Sequence, residues 1–595
     1  MEDQKGSWPR RLLRSRLFVS IGVIAVLVIA ALVWLAVSVV AVKGDVESAR
    51  TAAAEARSQV LAGDEGGAQQ AAESAAVSSK TAADRTHGIV WSAVAWVPWL
   101  GSPLRSVQQM SDAVSDYASQ VLVPSAKLAS VLSPNKIRNG ATINTVPIAA
   151  AQPQLAALAA KSQEIGKRVG AIAPSWSSAV AQARTTLKAQ VEDASATLNG
   201  SNVAAQLVPG MLGKNGPRNY FLAVQTPSES RGTGGLVGGF GILNAVGGRI
   251  TAVTLGANSV LKNPATPQID LGEQYGDIYS SYRPYTDWRN NNLSPDFRDA
   301  AQIWIANWKA QTGQHLDGAV AVDPVALSYV LAAIGPVTLP NGEKITADNV
   351  IPITLSTSYV RFPADDSVDN HARKAYLQTI SQSVIDKLSH FHGSMSALLK
   401  ALGKGASERR IMVYSTNSDE QRILETTDLA HQISATDAPY LQVALGNAAG
   451  NKIDYYLRRD ITYTSGACTA GTRGSTVTVK LTNTLTNLSL PDYVIGHGGA
   501  RQQIPKGTAV VNVELLLTKG AVTKQLTVDG MNPLYVDATL HDRPYAAALV
   551  RIAPGQTSTL TLTYDEPTSA HGQAQVPIQP LVDHPKVTVD VPVCR

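Results

Sequence analysis

The first hydrophobic feature of the chain is an uncharged run from Leu17 to Val42, preceded by Arg10, Arg11, Arg14 and Arg16. About 20 apolar residues cross a bilayer, so the run predicts a membrane-spanning helix. The basic residues on its short side predict that tail 1–16 stays in the cytoplasm and the rest lies across the membrane. A cleavable signal peptide is the alternative; its apolar core is usually shorter, about 7 to 15 residues, and ends at a small-residue site that does not occur before Lys43. From there to about residue 206, Ala, Ser and Gln dominate and aromatic residues are sparse, which predicts helices. Breaks at Gly63 to Gly67, Pro98 to Pro103 and Pro134 to Gly140 divide them into an antiparallel stalk. Leu187, Val191, Ala194 and Leu198 repeat at helical spacing and mark one apolar face. Trp91, Trp96, Trp99 and Leu100 interrupt the pattern. A core where helices meet is the preferred reading of them, ahead of a loop dipping into a membrane.

The pattern changes at Arg218. Tyr220–Gln225 reads as a buried strand, a glycine-dense turn follows, and Phe240–Val246 and Ile250–Leu255 read as a hairpin joined by Gly247 and Gly248. Helical spacing over Ala300–Trp308, a strand at Ala319–Val322 and helices at Pro324–Ile334 and about Asn370–Leu388 complete an alternation. It predicts a layered α/β domain with a mixed sheet over 207–390. Residues 391–452 read as a helical connector. Beyond Ile453 the period becomes two: Val477, Val479 and Leu481, then Leu560, Leu562 and Tyr564, then Val587, Val589 and Val591. Half-buried strands separated by turns predict a β-sandwich over 453–595. The predicted fold class is thus multidomain α+β: transmembrane helix, helical stalk, mixed-sheet α/β domain and C-terminal sandwich.

Composition narrows the function classes. A chain of 595 residues has room for several cores, and its net charge of +5 is small for that length and partly confined to the tail, which argues against nucleic-acid binding. Cys468 and Cys594 are the only cysteines, and beyond a membrane they can oxidise to one bridge. Two free buried thiols are the alternative.

Candidate chemistry concentrates in two segments. In Ser228-Glu229-Ser230-Arg231-Gly232-Thr233-Gly234-Gly235 the glycines would let backbone N–H groups converge on an anion, and Arg231 offers a fork that fits phosphate. The alternative is a tight turn with glycines packed under a neighbour. Tyr359-Val360-Arg361 is followed by Asp365, Asp366 and Asp369, then Arg373 and Lys374. Carboxylates of this kind can hold Mg²⁺ shared with a substrate phosphate, and a solvated helix start is the alternative. Asp317 and Asp323 suit turns and caps. No zinc spacing and no G-x-S-x-G elbow occurs.

Arg218-Asn219-Tyr220-Phe221-Leu222, the Glu229–Gly235 segment, Leu293-Ser294-Pro295-Asp296-Phe297, Asp317 through Pro324, Gly335-Pro336-Val337 and Ala372-Arg373-Lys374 together resemble an actinobacterial membrane-anchored family known as domain of unknown function 4012. Asn447, Asn451 and Lys452 also fit it. More distantly, the order of elements is similar to the LytR-CpsA-Psr family, which transfers glycopolymers from a polyprenyl diphosphate to the cell wall. That resemblance implies a glycopolymer phosphotransferase of the envelope. Arg231, Arg361 and Arg373 would lie on the diphosphate, Gly232, Thr233, Gly234 and Gly235 in the anion loop, and Asp365, Asp366 and Glu229 on Mg²⁺. Leu236-Val237-Gly238-Gly239 replaces the Arg-Ser-Asp-Thr-type segment usual there. A non-catalytic envelope scaffold, holding a partner or glycan on its stalk and sandwich, is the competing expectation.

Overall fold

A computed structural model describes residues 40–60, 64–99, 101–132, 134–363, 367–391, 393–468, 471–496 and 504–594. The chain forms two compact units, one of residues 1–139 and 143–210, the other of 140–142 and 211–595. Nearly all of the Leu17–Val42 run falls outside the described residues. Among those described, no helix is long and apolar enough to cross a membrane.

The first unit is helical. Residues 40–60 are followed by α1 (Glu65–Thr86), α2 (Ser102–Tyr117), α3 (Thr145–Ala171) and α4 (Ser178–Met211), with shorter helices between. Its packing seams are built from small residues. Ala68, Ala72, Ala75, Ser79, Ala82 and Thr86 recur at four- and three-residue steps and are all buried. Val42, Ala49 and Ala56 repeat every seven residues on the preceding helix. Such seams let helix backbones approach closely, as the alanine-rich composition predicts. Asp64 caps α1 by accepting from the Gly67 N–H at 3.0 Å. The expected face of α4 is present: Val191 is buried and Leu187 and Leu198 pack against the same core.

The second unit contains the α/β layer and the sandwich. Its α/β strands are β1 (Arg218–Arg231), β2 (Gly234–Val246), β3 (Arg249–Ala257), β4 (Gly318–Val322) and β5 (Ile411–Ser415). They lie side by side in the order β3-β2-β1-β4-β5. β1 runs parallel to β4, with Tyr220 opposite Gly318, and the other neighbours are antiparallel, so the sheet is mixed as expected. Gly247 and Gly248 have φ of +54° and +89° and close the β2–β3 hairpin with two left-handed residues, as its twist requires. Helices α5 (Phe297–Thr312), α6 (Pro324–Ile334), α7 (Ser367–Ser389) and α8 (Met395–Ser407) belong to this layer. Phe221 lies 5.8, 5.7 and 5.6 Å from the rings of Phe240, Trp288 and Trp304, at the centre of the core.

The sandwich pairs a four-stranded sheet with a five-stranded one. The first is ordered β6 (Leu441–Asn447), β9 (Ala509–Leu517), β12 (Arg543–Ile552), β11 (Tyr535–Leu540). The second is ordered β10 (Val522–Val528), β13 (Thr557–Pro567), β8 (Thr472–Asn483), β7 (Leu457–Ser465), β14 (Lys586–Asp590). Val477, Val479, Leu481, Leu560, Leu562 and Tyr564 all point into its core. The period fails at Val589, which is exposed because β14 is an edge strand with β7 as its one neighbour. Cys468 and Cys594 form a disulfide just beyond the ends of these two strands.

Two expectations are corrected. The glycine-dense segment after Gln225 is not a loop: β1 continues to Arg231 and β2 starts at Gly234, leaving two residues at the turn. Bulges between Val224 and Gln225 and between Thr226 and Ser230 absorb the irregular spacing that hid the strand. The stretch 391–452 is not only helix and connector, since β5 completes the α/β sheet and β6 opens the sandwich. The two layers also share a core in which Tyr275, Tyr279 and Ile303 meet Leu516, Leu540 and Tyr545.

Candidate functional site: a buried cationic cluster

The two-bulge path of β1 turns Glu229 and Arg231 inward. Both are buried, and Arg231 Nη2 donates to Glu229 Oε1 at 3.0 Å. The other carboxylate oxygen accepts from Lys452 Nζ. Burial alone would raise the Glu229 carboxyl; Lys452 and Arg231 reverse that and hold it below the ordinary glutamate value. Burial likewise works to lower Lys452, and Glu229 with Tyr493 and Tyr359 keeps it above the ordinary lysine value. Arg231 directs two further donors, Nε and Nη1, to the carbonyls of Arg289 (3.0 Å) and Ser230 (2.8 Å). Asp454 accepts from the Ser230 N–H at 2.8 Å and its hydroxyl at 2.6 Å, and burial pushes its carboxyl up to about 6.

The cluster extends through aromatic rings to α7. Lys452 Nζ lies 5.0 Å from the Tyr493 ring centroid, and Arg373 Cζ lies 4.5 Å from Tyr493 and 4.6 Å from Tyr359, within cation–π range. Arg373 is only 3% exposed. Its Nη2 donates to Asn370 Oδ1 at 2.6 Å, while Nη1 is buried with no hydrogen-bond partner among the described residues. Lys374 beside it is half-buried; desolvation, with the charges of Arg373 and Lys452, lowers its ammonium below the ordinary value. Among the described residues, Arg231, Lys452, Arg373 and Lys374 thus gather near the Glu229 and Asp454 carboxyls, more cations than acids in a water-poor setting.

The expected site residues do not all meet here. Arg231 and Arg373 join the cluster through Lys452 and Tyr493. Arg361 is instead exposed, pairs with Glu343 at 2.9 Å and lies 4.8 Å from the Tyr376 ring. Asp365 and Asp366 lie outside the described residues. Gly232, Thr233, Gly234 and Gly235, the residues expected to form an anion loop, are closely packed. A Cβ on Gly232 would stand 2.1 Å from the Leu293 carbonyl oxygen, and one on Gly235 2.3 Å from the Thr226 carbonyl carbon. The Gly235 N–H donates to Gln225 Oε1 at 2.9 Å, and Thr233 is buried under Asn292. The turn is filled by backbone, which leaves no open cradle. Glu229 fits a divalent cation poorly, because two cations occupy its oxygens. Among the described residues no group of three or more His, Cys, Asp or Glu is arranged to hold a metal.

Lys452, Tyr493 and Asp454 are site members that sequence reasoning did not assign. The Asn447–Lys452 likeness was the available signal, but nothing in the sequence tied it to Glu229. The Leu293–Phe297 motif proves to be a cap: Asp296 Oδ1 accepts from the Arg298 N–H at 2.9 Å at the start of α5. Asp323 caps α6 in the same way, as expected. No curated protein and no solved structure matches the chain. Over residues 215–359, which carry β1 to β4 and the Glu229–Arg231 pair, it matches the model of the family described as "Protein of unknown function (DUF4012)".

Proposed function

We propose that this chain is a membrane-anchored envelope protein that binds and scaffolds, with no catalytic turnover. One observation carries the reading: Arg231, the arginine a phosphotransferase would place on a diphosphate, is closed off by Glu229 and two backbone carbonyls. Its charge serves the fold. The shared core of the α/β layer and the sandwich supports the same reading, because a scaffold presents its partner from a stiff body. The anchor on this reading is the Leu17–Val42 run.

A second reading is favoured by the Arg373 Nη1 group, a buried donor without a partner. Leaving such a group unmatched is costly, and a phosphate oxygen would satisfy it. On this reading the cluster binds a polyprenyl-diphosphate-linked glycopolymer, in keeping with the likeness to the LytR-CpsA-Psr family. The discriminating experiment is binding of the purified full chain to a polyprenyl diphosphate, with and without Mg²⁺, beside Arg373→Ala and Lys374→Ala. The scaffold reading expects no binding. Binding lost in both variants would replace it with the glycopolymer reading.

A further inference from the structure

The helical unit ends in an aromatic tip that no part of the described chain covers. Trp91 is fully buried, as the core reading expects, and its indole N–H donates to the Leu104 carbonyl at 3.2 Å. Trp96 and Trp99 depart from that expectation, at 86% and 69% exposed. Ile89 is 90% exposed beside them, and Trp176, from the α3–α4 connection, is 55% exposed. The tip is a built arrangement. Trp176 stacks on Trp99 with centroids 5.5 Å apart and donates its indole N–H to the Trp99 carbonyl at 2.8 Å. Trp99 itself has a φ of +61°, a conformation that bulky residues avoid. A strained backbone that holds two large rings toward solvent points to a use for them.

Its place in the unit names the occupant. Trp91 and Ala95 share a core with Val42, in the first described turn of the chain. Asp45, one turn later, pairs with Arg85 at the end of α1 at 2.7 Å. The tip therefore stands at the end of the unit where the Leu17–Val42 run enters. Lys43, directly after that run, and Arg105, near the start of α2, are exposed. Tryptophan bodies with flanking cations are the composition of a bilayer's interfacial layer.

We infer that Ile89, Trp96, Trp99 and Trp176 insert into the headgroup region of the membrane, giving the stalk a second attachment that fixes its tilt. The inference rests on the anchored reading above. Tryptophan fluorescence of the full chain in vesicles with bromine in the upper acyl chain tests it, in a Trp8→Phe, Trp34→Phe background that silences the anchor. Quenching that persists there and disappears on adding Trp96→Phe, Trp99→Phe and Trp176→Phe is the expected result. Quenching of the wild-type chain but not of the background variant would overturn the tip and leave the anchor standing. An unquenched wild-type chain would overturn both. Concentration-dependent dimerisation lost with the three tip substitutions would assign the patch to a second copy and overturn the membrane assignment.

Discussion

Lys452 and Glu229 meet as a buried ion pair although 223 residues separate them in sequence. Glu229 stands on the irregular end of β1 and Lys452 between β6 and β7, so the pair ties the α/β layer to the sandwich. Taking two charges out of water is expensive, and removing one partner strands the other.

Lys452→Met is accordingly expected to cost about 3–5 kcal/mol, whereas the double variant with Glu229→Gln should recover only part of that loss, because buried Arg231 then loses its carboxylate. Denaturant unfolding of the four proteins in a cycle measures the coupling. A coupling near zero would mean that the pair does not join the layers.

Where periodicity is clean, the fold was legible. Strand β4, helix α6 and the alternation in β8 and β13 fall where their sequence patterns put them. The cluster was only half legible. Arg231 and Arg373 stand out as cations beside unusual neighbours, but their meeting through Lys452 and Tyr493 depends on how two layers dock, and local sequence carries no signal of that. The glycines read two ways for a physical reason: a turn that must pass within van der Waals distance of Leu293 and Ser294 needs the same residue as one that must cradle an anion.

The same geometry separates the glycines experimentally. Gly232→Ala would drive a methyl into the Leu293 carbonyl and is expected to cost about 3 kcal/mol or more. Gly247→Asn meets nothing within 4 Å and keeps a residue that tolerates a left-handed backbone, so less than about 1 kcal/mol should be lost. Thermal unfolding of both variants checks the contrast, and equal losses would contradict the packed turn.

Stability should fall as pH rises through the acid-to-neutral range, in part because of Glu514. It lies buried on β9, accepts from the Tyr279 hydroxyl at 2.9 Å and from Asn512 Nδ2 at 3.2 Å, and burial pushes its carboxyl up to about 7. Below about pH 4.5 both folded and unfolded forms hold the proton. Between there and about 7 only the unfolded form gives it up, so folding loses up to about 3 kcal/mol. Glu514→Gln keeps a neutral group in place and should stabilise the protein at pH 8 while changing little at pH 4. Melting curves at the two pH values decide it, and a variant destabilised equally at both would show that the site is occupied by the carboxylate.

The carboxy-terminal strand is held twice. Cys468–Cys594 closes a loop with a sequence separation of 126, which stabilises by about 5 kcal/mol on the chain-entropy account. Independently, Arg473, buried against Glu566, donates from Nη1 to the Pro592 carbonyl at 2.6 Å. β14 lies parallel to β7, with Ile461 opposite Val587, on the open edge of its sheet and with Val589 exposed, so its own ladder is its weakest restraint. Substituting both cysteines by serine should lower the unfolding midpoint and speed amide exchange first in residues 586–590, while the rest of the sandwich keeps its protection. Adding Arg473→Met should strand Glu566 in the core and cost several kcal/mol more, spreading the loss of protection into β8 and β13. Exchange in 586–590 that stays unchanged in the serine variant would mean that Arg473 and the ladder alone hold the strand, and that the bridge acts only on the unfolded chain.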